Sequence, residues 1–207
     1  MSVRLPLFPL RAVLLPTVGM GIHVFEERYR QLTRRCLSEN ASFGVALIKI
    51  GHEVGAPAVP HDVGTEARIL QVKEYGDGRY DLVVLGARRF RITRLFRGKP
   101  YLEAEVEWIP EPAEDKLVLN RLKRAVEARL RTCWQMFGDP TSARALRPSD
   151  DVDASTLSYL LTSMLPINAK KQQKLLEANT TEDRLEMEID ILSALALNLP
   201  PRREAEK

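Results

Sequence analysis

The sequence predicts an α+β protein in which a strand-rich half precedes a helical half. Residues 63–108 contain apolar runs and strict apolar–polar alternation, separated by turn signals, which is typical of long antiparallel strands. Beyond Pro110 the apolar residues recur at helical spacing, and no strand pattern follows. We therefore predict a domain boundary at Pro110, with a β-rich domain at residues 1–110 and a helical domain at residues 111–207.

The turn at residues 75–80 is the strongest hairpin signal in the chain. Asp77 and Gly78 supply the positive φ angles that a two-residue hairpin turn needs. Residues 82–85 after it form an apolar run of strand length. Gly86 interrupts that run, which predicts a β-bulge or a barrel corner at this position.

A second hairpin follows, and its register is set by the need to keep glutamates out of the core. The predicted register places Arg97 opposite Tyr101. Phe90 then faces Trp108, and a slip of one residue would bury the acidic side chains. This register puts one face of the last strand in the core and the other in solvent. The predicted core residues are Leu102, Ala104, Val106 and Trp108, and the predicted solvated residues are Glu103, Glu105 and Glu107.

The N-terminal segment is predicted to be extended, because Pro6 and Pro9 are incompatible with a helix over residues 5–10. We expect an edge strand or a polyproline II arm laid on the sheet there. Residues 19–21 indicate a flexible turn, since two of the three are glycine. Residues 22–25 are then expected to lead into the first helix.

Helical spacing of apolar side chains predicts a helix over residues 26–39, with a buried stripe of Phe25, Tyr29, Leu32 and Cys36. Residues 43–50 are predicted to form a buried strand, and residues 51–62 a mobile surface loop rich in glycine and proline. The loop contains His52 and His61. No third ligand stands at metal spacing, so no metal site is predicted.

The helical half is predicted to contain four helices, at residues 114–137, at residues 154–165, after Asn168 and from Thr180. Asn168 is a favoured N-cap residue, and the spacing of Thr180 to Asp183 resembles a capping box. Residues 141–151 are expected to be a polar loop, and residues 202–207 a charged tail.

Length and composition describe an ordinary globular protein. The chain has 207 residues, of which 44% are hydrophobic and 29% charged, and its formal net charge is +3. This mild charge does not indicate a dedicated nucleic-acid binder. No membrane span and no signal peptide are predicted. Cys36 and Cys133 are expected to be buried thiols in a reducing compartment, so we predict a cytoplasmic protein.

Sequence motifs of the common enzyme classes are absent. No P-loop, no G-x-G-x-x-G, no H-E-x-x-H and no G-x-S-x-G motif occurs. The three histidines, His23, His52 and His61, stand in no recognisable catalytic setting. We therefore predict no enzymatic activity, no cofactor and no metal.

A basic segment at residues 88–99 raises the question of nucleic-acid binding. It contains Arg88, Arg89, Arg91, Arg94, Arg97 and Lys99. Glutamates on the predicted neighbouring strand would neutralise part of this charge, and such a run is usually a solvated face. Few aromatic residues are available for base stacking. We predict a solvated face and keep RNA binding through this segment as an alternative.

Several segments follow one another along almost the whole chain in an order that resembles a known family. They are residues 5–11 (LPLFPLR), 13–16 with Gly19, 25–29 (FEERY), 63–69 (VGTEARI), 86–92 (GARRFRI), 100–106 (PYLEAEV), 165–166, 171–177 and 184–185. Together they resemble the N-terminal, substrate-binding domain of Lon proteases. The number and order of the segments carry the resemblance, rather than any single motif.

The resemblance implies a PUA-like pseudobarrel with one helix, followed by a helical bundle. In Lon proteases this unit precedes an ATPase module and a Ser–Lys peptidase module, and no residue here matches the catalytic serine and lysine of the family. The implied protein resembles stand-alone bacterial members, which lack both modules. It is expected to be non-enzymatic and to bind polypeptide substrates or partner proteins.

Candidate contacts for polypeptide lie near the N-terminal arm and beyond its glycines: Leu7, Phe8, Leu10, Val13, Leu14, Met20, Ile22 and His23. Apolar residues in extended structure usually belong to the core, and among these candidates only Met20, flanked by glycines, is expected to be exposed. Two alternatives remain. One is RNA binding through the PUA-like sheet and the basic segment, and the other is a small-molecule pocket between sheet and helices.

Overall fold

The structure, a computed structural model, describes residues 3–53, 55, 58–137 and 152–197, with the backbone alone for residues 133–137. The chain divides into two compact units. The first unit comprises residues 1–110 and 163–177, and the second comprises residues 111–162 and 178–207. Because the first unit includes a segment from beyond Pro110, a simple division of the chain at that residue stays a prediction.

The sheet of the first unit contains seven strands in the described part of the chain: β1 (Val3–Leu10), β2 (Gly19–Val24), β3 (Phe43–Ile50), β4 (Val59–Pro60), β5 (Val63–Glu74), β6 (Tyr80–Phe96) and β7 (Leu102–Ile109). Their order is β1-β7-β6-β5-β3-β4, and β2 pairs with β6. β1 also pairs in parallel with β3, which closes the sheet into a ring. This ring confirms the predicted pseudobarrel.

Five helices lie in the described part of the chain: α1 (Glu27–Glu39), α2 (Lys116–Phe137), α3 (Ala154–Met164), α4 (Ala169–Glu177) and α5 (Thr181–Leu197). α1 and α4 belong to the first unit, α2 and α5 to the second, and α3 spans the division. The four predicted C-terminal helices are confirmed, each within about two residues at its start. The predicted loop at residues 141–151 and the tail at 202–207 lie outside the described residues.

Both predicted N-caps of the helical half are confirmed. The backbone N–H of Lys171 donates to the side chain of Asn168 at 3.0 Å. The N–H of Asp183 donates to the hydroxyl of Thr180 at 2.9 Å. Each side chain satisfies a donor that the first helical turn leaves without a partner, which is why these residues stop the preceding segment and start a helix.

β1 is an interior strand and not the predicted edge strand or polyproline arm. Residues 3–7 pair with β7, and residues 7–10 pair with β3. Pro6 therefore lies where only β7 is paired, and Pro9 where only β3 is paired. A proline donates no N–H and is tolerated wherever one side of the strand has no partner. The two prolines lie on either side of the point where β1 changes its partner strand. In the sequence, such prolines also indicate an edge strand, which is why an edge was predicted.

β1 is also buried on both faces. Leu5 and Leu7 lie in a small apolar cluster with Phe90, whereas Phe8 and Leu10 lie in the larger cluster of this unit. Because side chains alternate along a strand, β1 separates the two clusters and belongs to both. Its unbroken apolar sequence reflects this double burial.

The residues predicted as a turn and as the entry to the first helix form strand β2. All six pair with β6 in antiparallel register. Ile22 and Val24 are buried, whereas Gly21 and His23 are exposed, which is the alternation of a strand. Gly19 and Gly21 do not adopt positive φ angles. The prediction of a turn is therefore wrong. The two glycines leave one face of the strand without side chains at their positions, and the chain does not change direction there.

β5 and β6 are joined by a three-residue loop, not by the predicted two-residue turn. The N–H of Tyr75 donates to the carbonyl of Arg79 at 2.9 Å, and the N–H of Gly78 donates to the carbonyl of Tyr75 at 2.8 Å. Gly78 has a φ of +80°, and Asp77 does not share this left-handed conformation. A turn closed by one left-handed glycine is a common hairpin connection. Of the Asp-Gly pair, only the glycine therefore adopts the positive φ angle that was predicted for both residues.

The predicted bulge at Gly86 is confirmed. The register of β5 and β6 shifts between the pair Ala67–Gly86 and the pair Thr65–Arg89. β6 pairs with β2 before this point and with β7 after it. A side chain at position 86 would collide with the carbonyl oxygen of Leu15. The close approach of that segment explains why a glycine stands where β6 changes partners.

The β6–β7 hairpin begins in the predicted register, with the pairs Phe90–Trp108, Arg91–Glu107 and Ile92–Val106. A shift between Ile92 and Arg94 then moves the pairing by one residue, so that Arg94 faces Glu105. Arg97 consequently does not stand opposite Tyr101, and that part of the prediction is wrong. The side chain of Thr93, at the shift, donates to the carbonyl of Glu105 at 3.0 Å.

Two charged residues that the sequence places in solvent are buried. Glu103 is 3% exposed and accepts a hydrogen bond from Arg35 of α1 at 2.7 Å. Arg89 is 2% exposed and donates to the carbonyl of Leu176, at the end of α4, at 2.9 Å. Helices of the same unit thus cover parts of the sheet that a two-strand pattern predicts to be wet.

Helix α1 follows the prediction except at Phe25, the first residue of the predicted buried stripe. Tyr29, Leu32 and Cys36 are buried, as predicted, and Asn40 ends the helix in a left-handed conformation. Phe25 is instead 49% exposed. It lies in the link between β2 and α1, where the helical spacing that predicted its burial does not apply.

Candidate binding groove

The structure brings five of the eight predicted contact residues to one groove of about 470 Å³ in the first unit: Phe8, Leu10, Met20, Ile22 and His23. Leu7, Val13 and Leu14 do not line it and are buried in the core. Phe8, Leu10 and Ile22 are buried too, Met20 is half-buried and His23 is exposed. Met20 was expected to be exposed and is instead half-buried, because its side chain packs against the larger apolar cluster.

The floor of the groove is a stacked aromatic pair. The rings of Phe8 and Tyr29 are 3.9 Å apart, with an angle of 11° between their planes. Phe43 lies behind Phe8, with ring centroids 6.0 Å apart. Burial raises the pKa of Tyr29 to about 12. The phenol is therefore neutral across the physiological range, and the floor presents apolar carbon.

Phe25 forms the rim of the groove and was missed as a candidate. Its ring lies 6.0 Å from the ring of His23, and about half of its surface is open to solvent. A large aromatic side chain this exposed beside an apolar floor is a typical binding anchor. The sequence signal was the position of Phe25 directly before the acidic first turn of a helix, outside the helix itself.

His23 is oriented by an acidic partner. Its Nδ1 lies 2.6 Å from a carboxylate oxygen of Asp81, the residue opposite it on β6. The second oxygen of Asp81 accepts a hydrogen bond from the hydroxyl of Tyr75. Hydrogen bonds from His23 and then from Tyr75 hold the pKa of Asp81 below its ordinary value. These contacts fix the His23 ring beside Phe25.

The other wall of the groove is polar and joins α1 to the loop after β3. A side-chain nitrogen of Arg28 lies 3.0 Å from the carboxylate of Glu26 and donates to the carbonyl of Glu53 at 2.9 Å. The N–H of Gly55 donates to Glu26 at 3.3 Å. The guanidinium of Arg28 also lies over the ring of Tyr29, 4.6 Å from its centroid. The groove thus has an apolar floor and a polar wall in which the acidic side chain of Glu26 is paired with Arg28.

The basic segment has contacts within the chain. Arg88 donates to Glu66 at 3.0 Å and lies 3.8 Å over the ring of Trp108. Lys99 lies 3.2 Å from Glu103, and Arg94 lies 5.0 Å over Phe96. Arg91 and Arg97 are exposed, in line with the predicted solvated face. Arg89 is the exception described above.

Within residues 3–53, 55, 58–137 and 152–197, no group of three or more histidine, cysteine, aspartate or glutamate side chains is placed to hold a metal ion. Across the same described residues, no helix has both the length and the apolar character needed to cross a membrane.

The fold and the groove define a class of protein: an α+β chain whose ring-shaped sheet carries an apolar groove beside one helix. Residues 4–194 match the family described as the ATP-dependent protease La (LON) substrate-binding domain. The chain therefore belongs to that family, which confirms the resemblance found in the sequence.

Similar curated proteins include Lon proteases. Lon protease 2 of Bdellovibrio bacteriovorus is 29% identical over 199 residues, which cover 92% of this chain and 24% of that protein. The peroxisomal Lon protease homolog 2 of Bos taurus is 29% identical over 207 residues, which cover 91% of this chain and 24% of that protein. The chain thus spans about a quarter of the length of the curated relatives it matches.

Solved structures match along nearly their whole length. The crystal structure of the Lon N-terminal domain protein from Xanthomonas campestris has 31% sequence identity and a TM-score of 0.64, and the match covers 89% of this chain and 95% of that one. The N terminal domain of Mycobacterium avium complex Lon protease has 22% identity and a TM-score of 0.66, covering 92% and 98%. The latter likeness supports the fold.

Proposed function

We propose that this protein binds unfolded polypeptide in the groove, without catalysing a reaction. The observation that carries the proposal is the exposed ring of Phe25 beside the apolar floor formed by Phe8 and Tyr29. Exposed aromatic carbon next to a concave apolar surface favours side chains that a folded protein would bury. The description of the family as substrate-binding supports the same function.

Selectivity for unfolded chains follows from the size and chemistry of the groove. A volume of about 470 Å³ accommodates a few side chains and not a folded surface. The apolar floor then favours segments of the bound chain that carry apolar side chains. Binding to such segments requires no chemistry on the bound chain, so the protein would hold a substrate for other components to act on.

Phe25→Ser tests the proposal, because it removes the exposed anchor without touching the core. The probe is fluorescein-labelled, reduced and carboxymethylated α-lactalbumin, which cannot refold. Fluorescence anisotropy should show saturable binding to the wild-type protein and about tenfold weaker binding to the variant. Leu70→Ser is the matched control, since Leu70 on β5 is 59% exposed and does not line the groove.

Absence of binding by the wild-type protein would overturn the proposal, and so would equal affinities of the two variants. Thermal unfolding of both variants should match the wild type, because both side chains are exposed. The labelled probe should remain intact on gels after incubation with and without ATP. A labelled single-stranded RNA serves as the specificity control, and tight RNA binding that weakens steeply with salt would favour the alternative function.

A further inference from the structure

Strand β2 has one paired edge and one edge without a partner strand among the described residues. It pairs with β6 along all six residues, and no other described strand pairs with it. The N–H of Gly86 on β6 donates to the carbonyl of Val18, directly before β2, at 3.0 Å. In an antiparallel pair the hydrogen-bonded residues alternate. The even-numbered residues of β2 therefore bond to β6, and Gly21 and His23 direct their backbone groups to the other edge.

The opposite side of β6 gives the same alternation independently. The N–H of Tyr75 donates to the carbonyl of Arg79 where β5 meets β6. Odd-numbered residues of this part of β6 consequently bond to β5, and even-numbered residues bond to β2. The hydrogen bonds on both sides of β6 thus agree that the even-numbered residues of β2 bond to β6.

The groove runs along the free edge of β2. Four consecutive residues of the strand, from Met20 to His23, line it. Consecutive side chains point to opposite faces of a sheet, so a cavity that touches all four lies beside the strand and not over one face. Leu10, the last residue of β1, and the two residues after it line it as well. A Cβ atom built on Gly21 would have no neighbour within 4 Å, so the space over this face of the strand is open at Gly21.

We propose that the occupant of the groove is an extended segment of polypeptide that adds to β2 as a further strand. The proposal rests on the proposed function and gives its binding mode. The segment would bond through its main chain to Gly21 and His23, while alternate side chains would lie over the floor and against Phe25. Main-chain bonds tolerate any sequence, and the floor selects apolar residues at every second position. A folded protein offers few segments that could add in this way, because most of its backbone groups are already paired.

N-methylated peptides test the strand addition directly. The parent probe is an acetylated, amidated eight-residue peptide in which valine and threonine alternate, with a C-terminal lysine added for solubility. One variant is N-methylated at the valines and the other at the threonines. A strand presents every second N–H to its neighbour. One variant should therefore bind at least about tenfold more weakly than the parent, and the affinity of the other should stay within about twofold of that of the parent. A groove that binds side chains alone would treat both variants alike.

The protein side of the same bond is tested at Gly21. Gly21→Pro removes the outward N–H and should weaken binding of the parent peptide, whereas Gly98→Ala, in the turn between β6 and β7 and outside the groove, should bind like the wild type. If Gly21→Pro does not fold, the N-methylated pair decides alone. Equal affinities of that pair, or no binding of the parent peptide, would overturn strand addition. Binding of carboxymethylated α-lactalbumin that depends on Phe25 would in either case leave the proposed function standing.

Discussion

Arg35 of α1 donates to the carboxylate of Glu103 on β7 at 2.7 Å, although the side chain of Glu103 is almost fully buried. Two further cations reach the same carboxylate, Arg4 of β1 at 3.0 Å and Lys99 at 3.2 Å. The three cations come from a helix, a strand and a turn that are distant in sequence. A buried carboxylate therefore joins α1 to the place where β1 and β7 pair.

Glu103→Gln is expected to lower the free energy of unfolding by about 1–3 kcal/mol at pH 7. Burial raises the pKa of Glu103, but hydrogen bonds from Arg35 and Lys99 outweigh it and hold the pKa below the ordinary 4.5. A depressed folded-state pKa contributes stability that is present above the unfolded value and lost as the pH falls through the folded value. The variant should therefore lose less stability than the wild type on acidification below about pH 4.5.

Urea unfolding at pH 7 and at pH 3.5 measures both effects. Glu107→Gln is the control, because Glu107 lies on the same strand and is exposed. It should change the stability by less than about 0.5 kcal/mol. A similar loss in both variants at pH 7 would contradict the assignment of a special role to the buried carboxylate.

Gly86→Ala is expected to destabilise the protein by about 1–3 kcal/mol or to shift the segment at Leu15. The added methyl group would meet the carbonyl oxygen of Leu15 and the backbone of Pro16, neither of which is a flexible side-chain end. Gly21→Ala is the matched control, since nothing lies within 4 Å of the added atom. Thermal unfolding of the two variants checks the prediction, and equal melting temperatures would contradict it.

The strand pattern was predictable where the alternation along two neighbouring strands is unbroken. The first pairs of the β6–β7 hairpin follow from alternation, because only one register places Phe90 and Val106 in the core. The burial of Glu103 and Arg89 was not predictable from that pattern. Their partners Arg35 and Leu176 are 68 and 87 residues away in the sequence, and no local rule connects them.

The groove was predictable in part. Apolar residues near the N-terminus pointed to five of its lining residues, because prolines and glycines marked that region as extended. The strand character of residues 19–24 was hidden by two glycines, whose turn preference outweighed the alternation of Ile22 and Val24. Phe25 fitted a helical stripe by spacing although it lies outside α1. Whether Phe25 is buried or exposed depends on where the helix starts, and α1 starts one residue after Glu26.

Cys36 is expected to resist alkylation in the native protein. Its thiol is 1% exposed, and burial raises its pKa to about 11. The thiol is therefore protonated at pH 8 and shielded from reagents, and the reactive form is the thiolate. Iodoacetamide at pH 8 should leave the peptide that contains Cys36 unmodified until urea unfolds the chain, as followed by mass spectrometry. Rapid modification without denaturant would contradict the burial of the thiol.

Glu188 of α5 is buried in a polar network inside the second unit. Its carboxylate accepts hydrogen bonds from Ser158 at 2.9 Å and Thr162 at 2.6 Å, both on α3. Arg184, also buried, donates to Ser158 at 2.8 Å and lies 3.8 Å over the ring of Tyr159. Burial raises the pKa of Glu188 to about 7, against the opposing effect of the two hydroxyl groups and of Arg184.

A raised carboxyl pKa makes the folded state hold its proton longer than the unfolded chain does. Between about pH 4.5 and pH 7 the unfolded chain loses that proton first, so the free energy of unfolding should fall as the pH rises, by on the order of 3 kcal/mol. Glu188→Gln keeps an acceptor for Ser158 and Thr162 and should flatten this dependence, becoming more stable than the wild type above pH 7. Glu186→Gln, exposed on the same helix, should leave the profile unchanged. Urea unfolding from pH 4.5 to pH 8 measures all three proteins, and parallel profiles for the wild type and Glu188→Gln would show that Glu188 is not the group that carries the proton.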